Sequence, residues 1–370
     1  MTTETKAEAG KRGADVRSDC WIEIERASSG GVVLEIESKV SSMFGKALRR
    51  QLEELAAFFE IENATIRLED KGALPYAIDA RFEAAVKRLD PSVSKEKLPP
   101  AVEGNQTPAV KERFRRSRLY LPGSEPKFFV NAGLHGSDAL ILDLEDSVAP
   151  SEKHASRYLV RNALHAVDFH GAERMVRINQ LPLGLDDVDL VAPRFVETIL
   201  VPKCESAEDV RAVEERVAKS LERAGVRRDV FLMPIVESAL GVERAFEIAA
   251  ASEKVCALAI GLEDYTADIG ARRTNEGTES FYARTRLVNA AKAARVQAID
   301  TVFSDVADEE GLRASVEEAR SLGFEGKGCV HPGQIAPIHE AFAPKPEEID
   351  LAKKIVVAFD EATRKGLGAV

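Results

Sequence analysis

Three acidic side chains, Asp143, Glu145 and Asp146, follow directly behind the short apolar run Ala139 to Leu142, and Glu263 and Asp264 stand behind a second run, Val255 to Ile260. Such runs suit strands covered on both faces, and the C-terminal ends of parallel strands are where α/β enzymes keep their chemistry. Glu237 closes a further run, Val230 to Val236, so Glu237 and Asp264 are expected on neighbouring strands. Mg²⁺ typically takes one or two protein carboxylates and completes its octahedron with water and substrate oxygens, which leaves a Lewis acid with an open shell. Arg177 is the natural counterpart: a guanidinium can hold a substrate carboxylate bidentately or stabilise an oxyanion, and it can equally pair with the acidic ring itself. His331 precedes a proline in a loop, where ligand binding and a hydrogen bond to backbone are both open readings. With no Ser-His-Asp or Cys-His arrangement suggested, the residues point to metal-assisted chemistry on an anionic substrate.

The elements that must hold these side chains are legible as an alternation of apolar runs and longer amphipathic stretches. Eight runs can be counted, at Arg118–Leu121, Ala139–Leu142, Arg174–Ile178, Thr198–Val201, Val230–Val236, Val255–Ile260, Ala298–Phe303 and Gly328–Val330. Eight βα units in about 250 residues match a closed (β/α)8 barrel. A doubly wound open sheet is the alternative, but no Gly-x-Gly-x-x-Gly or Walker-type loop follows any strand. On a barrel, Tyr120, Asp143, Glu145, Asp146, Arg177, Lys203, Glu237, Asp264 and His331 would converge on one mouth.

In front of the barrel, residues 18–90 read as a small α+β domain. Trp21–Ile24 and Val32–Ile36 alternate around Ser28–Gly31 and are expected to form a hairpin. Phe44, Leu48, Leu52, Leu55 and Phe59 make a helical stripe, Ala64–Leu68 a third strand, and Phe82–Leu89 a short second helix. Residues 1–17 are polar and are expected to be a flexible tail, 91–113 are Pro- and charge-rich and read as a semi-stiff linker, and 114–370 form the barrel.

The chain has 370 residues, 45% hydrophobic, a formal net charge of -11 and a pI near 5.3. An acidic balance argues against nucleic acid, which needs clustered Lys and Arg. No run approaches the roughly 18 apolar residues of a membrane helix, and the N-terminus lacks a signal-peptide core, so a cytoplasmic protein without a membrane partner is expected. Cys20, Cys204, Cys256 and Cys329 show no metal-binding spacing and are expected as buried thiols.

Taken together, Ser117–Gly123 (SRLYLPG), Asp143–Asp146 with Val148-Ala149-Pro150, Val176–Asn179, Val201-Pro202-Lys203, Glu237–Gly241, Gly261–Tyr265 and Gly326-Lys327 with His331–Gln334 resemble the citrate lyase β-subunit family, which includes the malyl-CoA and citramalyl-CoA lyases. The resemblance covers about 113–365. The front domain resembles the acyl carrier γ-subunit of citrate lyase at Gly13–Asp19, Asp70–Leu74 and Ala80–Val86. What the resemblance implies is a lyase that cleaves a 3-hydroxyacyl thioester (citryl-carrier or citryl-CoA) by a retro-Claisen step, giving oxaloacetate and an acetyl thioester. Citramalyl-CoA or malyl-CoA lyase activity, or a silent carrier or assembly protein, are the alternatives. It further implies that Glu237 and Asp264 hold Mg²⁺, that Arg177 stabilises the enolate, that Glu145 and Asp146 hold metal-bound waters, and that Tyr120 and Lys127 line the pantetheine path. His331 joins the expected substrate contacts. The carrier family's Ser-Ser-Asp is matched here by Arg17-Ser18-Asp19, so Ser18 is the position for a phosphopantetheine-type arm. A citrate lyase α-subunit as partner and a homotrimer or hexamer follow by the same analogy. The malyl-CoA and citramalyl-CoA branch carries a lid aspartate beyond the region matched here, so the acid that protonates the enolate is expected from elsewhere.

Overall fold

A computed structural model describes residues 5–367. The front domain is a four-stranded sheet with two helices. Its elements are β1 (Lys6–Gly10), β2 (Cys20–Arg26), β3 (Val32–Ser38), α1 (Ser41–Phe58), β4 (Ala64–Asp70) and α2 (Pro75–Leu89), in the sheet order β1-β2-β4-β3.

Two expectations fail here. Residues 6–10 of the expected tail form β1, antiparallel to β2, because Ala7 and Ala9 alternate with polar residues and turn their methyls into the core. Alanine is small enough that this period-two signal is easily overlooked. The expected hairpin is absent: β4 lies between β2 and β3, and β3 runs parallel to β4 with α1 as the crossover. The core decides this order. Along β4, Ala64, Ile66, Leu68 and Asp70 are buried, whereas β3 is nowhere fully covered, which suits an edge strand. Helix α2 is also longer than the apolar stripe suggested. Pro75 stands in its first turn, where no amide donor is needed, and the helix is buried on nearly every side.

That burial comes from two sides, the front sheet through β1 and β2 and the barrel. Strands β5 (Ser117–Pro122), β6 (Ala139–Asp143), β7 (Glu173–Arg177), β8 (Thr198–Val201), β9 (Phe231–Val236), β10 (Ala257–Ile260), β11 (Gln297–Asp300) and β12 (Gly326–Cys329) close into one parallel ring. Its interior is packed by Ile141, Met175, Leu200, Met233, Ile235 and Ile299, as expected of a filled barrel rather than a pore. Helix α3 (Lys153–Ala166), the first long outer helix, lies against α2, so one continuous apolar core runs from Ala7 to Ile338 through both domains.

Buried charge reinforces the joint. Glu83 of α2 accepts two hydrogen bonds from Arg161 of α3 at 2.7 and 2.8 Å, with neither side chain exposed. Asp19 takes a bidentate pair from Arg81 at 2.7 and 3.0 Å, and Arg81 also donates to the Ser124 carbonyl in the loop after β5, at 3.3 Å. The segment 91–113 lies along the surface as a strap: Lys97 donates its amide to Glu83, and buried Asn105 donates to the carbonyls of Leu164 and Val167. All four cysteines are buried and free, and no helix among the described residues is long and apolar enough to cross a membrane.

Candidate active site

At the C-terminal mouth of the barrel a cavity of about 380 Å³ is lined by Tyr120, Asp143, Asp146, Arg177, Glu237 and Asp264, with Arg118, Ile235 and Ala259 deeper in. Strand ends bring these side chains together as the sequence suggests. Register adds something the sequence did not show. Asp143 and Arg177 are cross-strand neighbours at the ends of β6 and β7, and Arg177 donates its Nε and Nη2 to the two carboxylate oxygens, both at 2.7 Å. Burial opposes ionisation of Asp143, but the hydrogen bonds and charge of Arg177 outweigh it and hold the carboxyl below its usual range. The guanidinium also lies over the Tyr120 ring, 5.2 Å from its centroid. One edge of the fork is therefore taken, and only Nη1 points onward, 2.9 Å from Glu145 Oε2.

Glu145 is buried, and Gln180 and Lys203 reach its other oxygen at 3.2 and 3.3 Å. Asp146, beside it, is 55% exposed and lies 3.8 Å from both Arg177 and Lys203. Lys203 holds a left-handed backbone, φ 48°, a conformation that costs a non-glycine residue about 1 kcal/mol or more. It gains two contacts there. Its amide donates to Glu237 Oε2 at 3.1 Å, and its Nζ spans Glu145 and, at 3.7 Å, Asp264. Lys153 anchors the loop after β6 through the carbonyls of Leu144 and Glu145 and through Asn179.

Glu237 is the most confined carboxylate of the group. It is 5% exposed, and Gly261 packs so closely that a Cβ there would stand 2.5 Å from Glu237 Oε1. Burial first, then the like charges of Glu145 and Asp264, push its carboxyl up to about 8. Burial also raises Glu145, whose Oε2 has no aligned hydrogen-bond donor despite its nearness to Arg177. Surplus negative charge with an orphaned buried oxygen is a donor set that calls for a cation. Among the described residues no three His, Cys, Asp or Glu side chains converge into an all-protein metal cage. A hard ion that needs one or two carboxylates and keeps its waters, as Mg²⁺ does, fits Glu237 and the half-exposed Asp264.

Two expected site residues stand away from this cluster. His331 is exposed at the start of the turn Pro332–Gln334, and its Nδ1 accepts the Gly333 amide at 3.1 Å, so the ring caps a turn. Lys127, in the loop after β5, pairs with Glu125 at 3.1 Å and lies outside the cavity lining. Ser18 is partly covered, with φ 56°, beside the buried Asp19. Arg118 is the residue that sequence reasoning missed. The signal was available: a charge two residues before Tyr120 on one strand shares its inward face.

Residues 116–332 match the family model described as HpcH/HpaI aldolase/citrate lyase, and 7–89 match the model of the malonate decarboxylase δ subunit. Citrate lyase subunit β of Escherichia coli K12 is 38% identical over 70% of this chain and 87% of its own. Human mitochondrial citramalyl-CoA lyase is 33% identical over 69% and 78%. The citrate lyase β subunit of Mycobacterium tuberculosis, solved with oxaloacetate and magnesium, superposes with a TM-score of 0.53 at 32% identity, covering 62% of this chain and 98% of that one. Protein CitE of the same organism, solved with magnesium, acetoacetate and coenzyme A, gives 0.57 at 29% identity over 68% and 89%.

Proposed function

From the premise that the chain belongs to the HpcH/HpaI aldolase/citrate lyase family, we propose that its barrel cleaves a 3-hydroxyacyl thioester, with a citryl thioester as substrate and oxaloacetate and an acetyl thioester as products. The protein is a Mg²⁺-dependent carbon–carbon lyase; the acyl group and its carrier are the part proposed. The observation that carries the proposal is the placement of Arg177, anchored on Asp143 through one edge and turning Nη1, 2.9 Å from Glu145, toward a cavity that Glu237 and Asp264 also line.

Bond cleavage leaves a pair of electrons on the thioester as an enolate, and an oriented cation at that oxygen lowers the barrier most. Arg177 supplies it. Because Asp143 and the Tyr120 ring fix the guanidinium, its orientation is preset, and the enolate oxygen would take Nη1 from its contact with Glu145. Glu237 and Asp264 would hold Mg²⁺, which would supply Lewis acidity for the substrate hydroxyl and its neighbouring carboxylate. Glu145 and Asp146 would accept hydrogen bonds from water in that site, and Lys203, beside both, offsets their charge. Tyr120 lines the cavity wall that a thioester passes. Lys127 and His331 lie outside the cavity lining, and their proposed contacts are with the distal, phosphate-bearing part of such a substrate.

Ser18 is proposed as the attachment point for a phosphopantetheine-type arm, supported by the match of 7–89 to a carrier-like subunit. A citrate lyase α-subunit that loads the arm, a homotrimer or hexamer, and a cytoplasmic location belong to the same proposal. The exposed Ile355, Val356 and Phe359 on the helix Pro346–Arg364 support self-association.

Keto-acid release from citryl-CoA, (S)-citramalyl-CoA and malyl-CoA, each with Mg²⁺ and then EDTA, tests the activity. Oxaloacetate from citryl-CoA, abolished by EDTA, is expected. Pyruvate or glyoxylate alone would assign a free CoA-ester lyase, and silence of the folded protein on all three a carrier role. Intact mass tests the arm on Ser18.

A further inference from the structure

The cavity floor holds a charge that nothing above uses. Arg118 projects inward from β5, in the layer below Tyr120, and is 2% exposed. Among the described residues its side chain makes one hydrogen bond, from Nη1 to the Met233 sulfur at 3.1 Å, and its Nε finds no partner. Among the described residues no carboxylate lies within ion-pair distance of it. Glu173, the carboxylate whose charge reaches it, is held by Arg115 at 2.8 and 3.0 Å, and of the acids lining the cavity Asp143 is committed to Arg177 and Asp300 to Lys327 at 2.8 Å and Arg284 at 3.0 Å. Burying a guanidinium without a counter-charge is costly, and here burial pulls its pKa down from the ordinary arginine value. Arg118 lines the same cavity as Tyr120, Arg177 and the small Ala259.

We infer that Arg118 is a substrate-binding residue that takes a second carboxylate of the acyl group, so that the site selects a citryl thioester over citramalyl and malyl thioesters. This rests on the lyase reading above. The three substrates share a hydroxyl, a neighbouring carboxylate and a thioester oxygen, for which the Glu237–Asp264 pair and Arg177 suffice. They differ at one substituent, which is a carboxymethyl group in citryl, a methyl in citramalyl and a hydrogen in malyl. Only the carboxymethyl group can neutralise Arg118. The smaller two leave a buried cation unpaired, and a site built around a charged hydrogen-bonding partner discriminates strongly against ligands that lack it.

The test combines turnover with a binding readout that needs no turnover. In the wild-type protein with Mg²⁺, oxaloacetate is expected to bind at least about tenfold more tightly than pyruvate by calorimetry, since only oxaloacetate keeps the second carboxylate. Arg118→Met, close in length and apolar, is expected to lower the ratio of citryl-CoA to citramalyl-CoA kcat/KM by about 100-fold or more and to erase the oxaloacetate preference. Arg118→Lys is expected to restore part of both. An unchanged ratio in Arg118→Met, or an equal fall for every substrate and both keto acids, would overturn the inference and make Arg118 a packing residue. If Arg118→Met does not fold, equal binding of oxaloacetate and pyruvate by the wild type overturns it on its own. If no thioester is cleaved but the keto-acid preference and its loss in the variant are found, the lyase reading fails and the dicarboxylate site stands.

Discussion

Asp143 and Arg177 show how one pair of side chains sets the precision of the site. A lysine at 177 could match the charge but not span two carboxylate oxygens and still present a third donor. Arg177→Lys is therefore expected to lower kcat/KM by about 100-fold or more, mostly in kcat, while melting within a few degrees of wild type. A near-normal rate would show that Nη1 is not used. For Glu237→Gln or Asp264→Asn, the rise in melting temperature on adding Mg²⁺ should disappear along with EDTA-sensitive turnover, because each removes one of only two protein charges offered to the ion. Retention of the thermal shift in both would move the metal elsewhere. At this scale much was legible: Tyr120, Arg177, Glu237 and Asp264 stand at the mouth because strand ends can be read from where apolar runs stop. The Asp143–Arg177 pair was not legible, since it depends on strand register, and no single strand carries that information. Arg118 stayed hidden inside a run read only as a strand, where composition does not say which face turns inward.

At the scale of elements the barrel was legible because strands covered on both faces, such as β6, β8, β9 and β10, are short unbroken apolar runs that recur between amphipathic stretches. The front sheet was less so. Its strands alternate, and alternation shows a strand without showing its neighbour, so β2 and β3 looked like a hairpin when β4 lies between them. Helix α2 was underestimated because its first turns bury Tyr76, Ala77 and Ile78 beside Asp79 and Arg81, whose partners, Gln51, Asp19 and the Ser124 carbonyl, are distant in sequence. That packing yields a prediction. Removing one member of the buried Glu83–Arg161 pair strands the other, so Glu83→Gln should cost about 3–5 kcal/mol of unfolding free energy, and Glu83→Gln with Arg161→Met should recover part of it. Chemical denaturation checks this, and additive losses would mean the pair is not coupled.

For the molecule as a whole, the joint between the domains also sets a pH limit. His165, on α3, is 9% exposed, and its Nε2 has no partner. Burial, then the charges of Arg194, Arg161 and Arg228, pull its pKa down to about 4. The unfolded chain binds a proton at His165 below about 6.5 while the folded one does not until about 4, so this residue makes stability fall as pH drops through that window and leaves it unaffected above. Urea midpoints at pH 7 and pH 5 should show a smaller loss for His165→Phe than for the wild type; equal losses would remove His165 as the source. The same joint bears on how a tethered substrate would travel. Carriers that hang on free linkers must search for their enzyme, whereas this front domain is fastened to the β5 loop by Arg81 and to α3 by Arg161. An acyl group on Ser18 would therefore sweep only the reach of its own arm from a fixed root, at an effective concentration in the millimolar range or above. Its encounter with the barrel would be set by arm length and independent of protein concentration, so dilution would slow the loading of the arm and leave the cleavage that follows untouched.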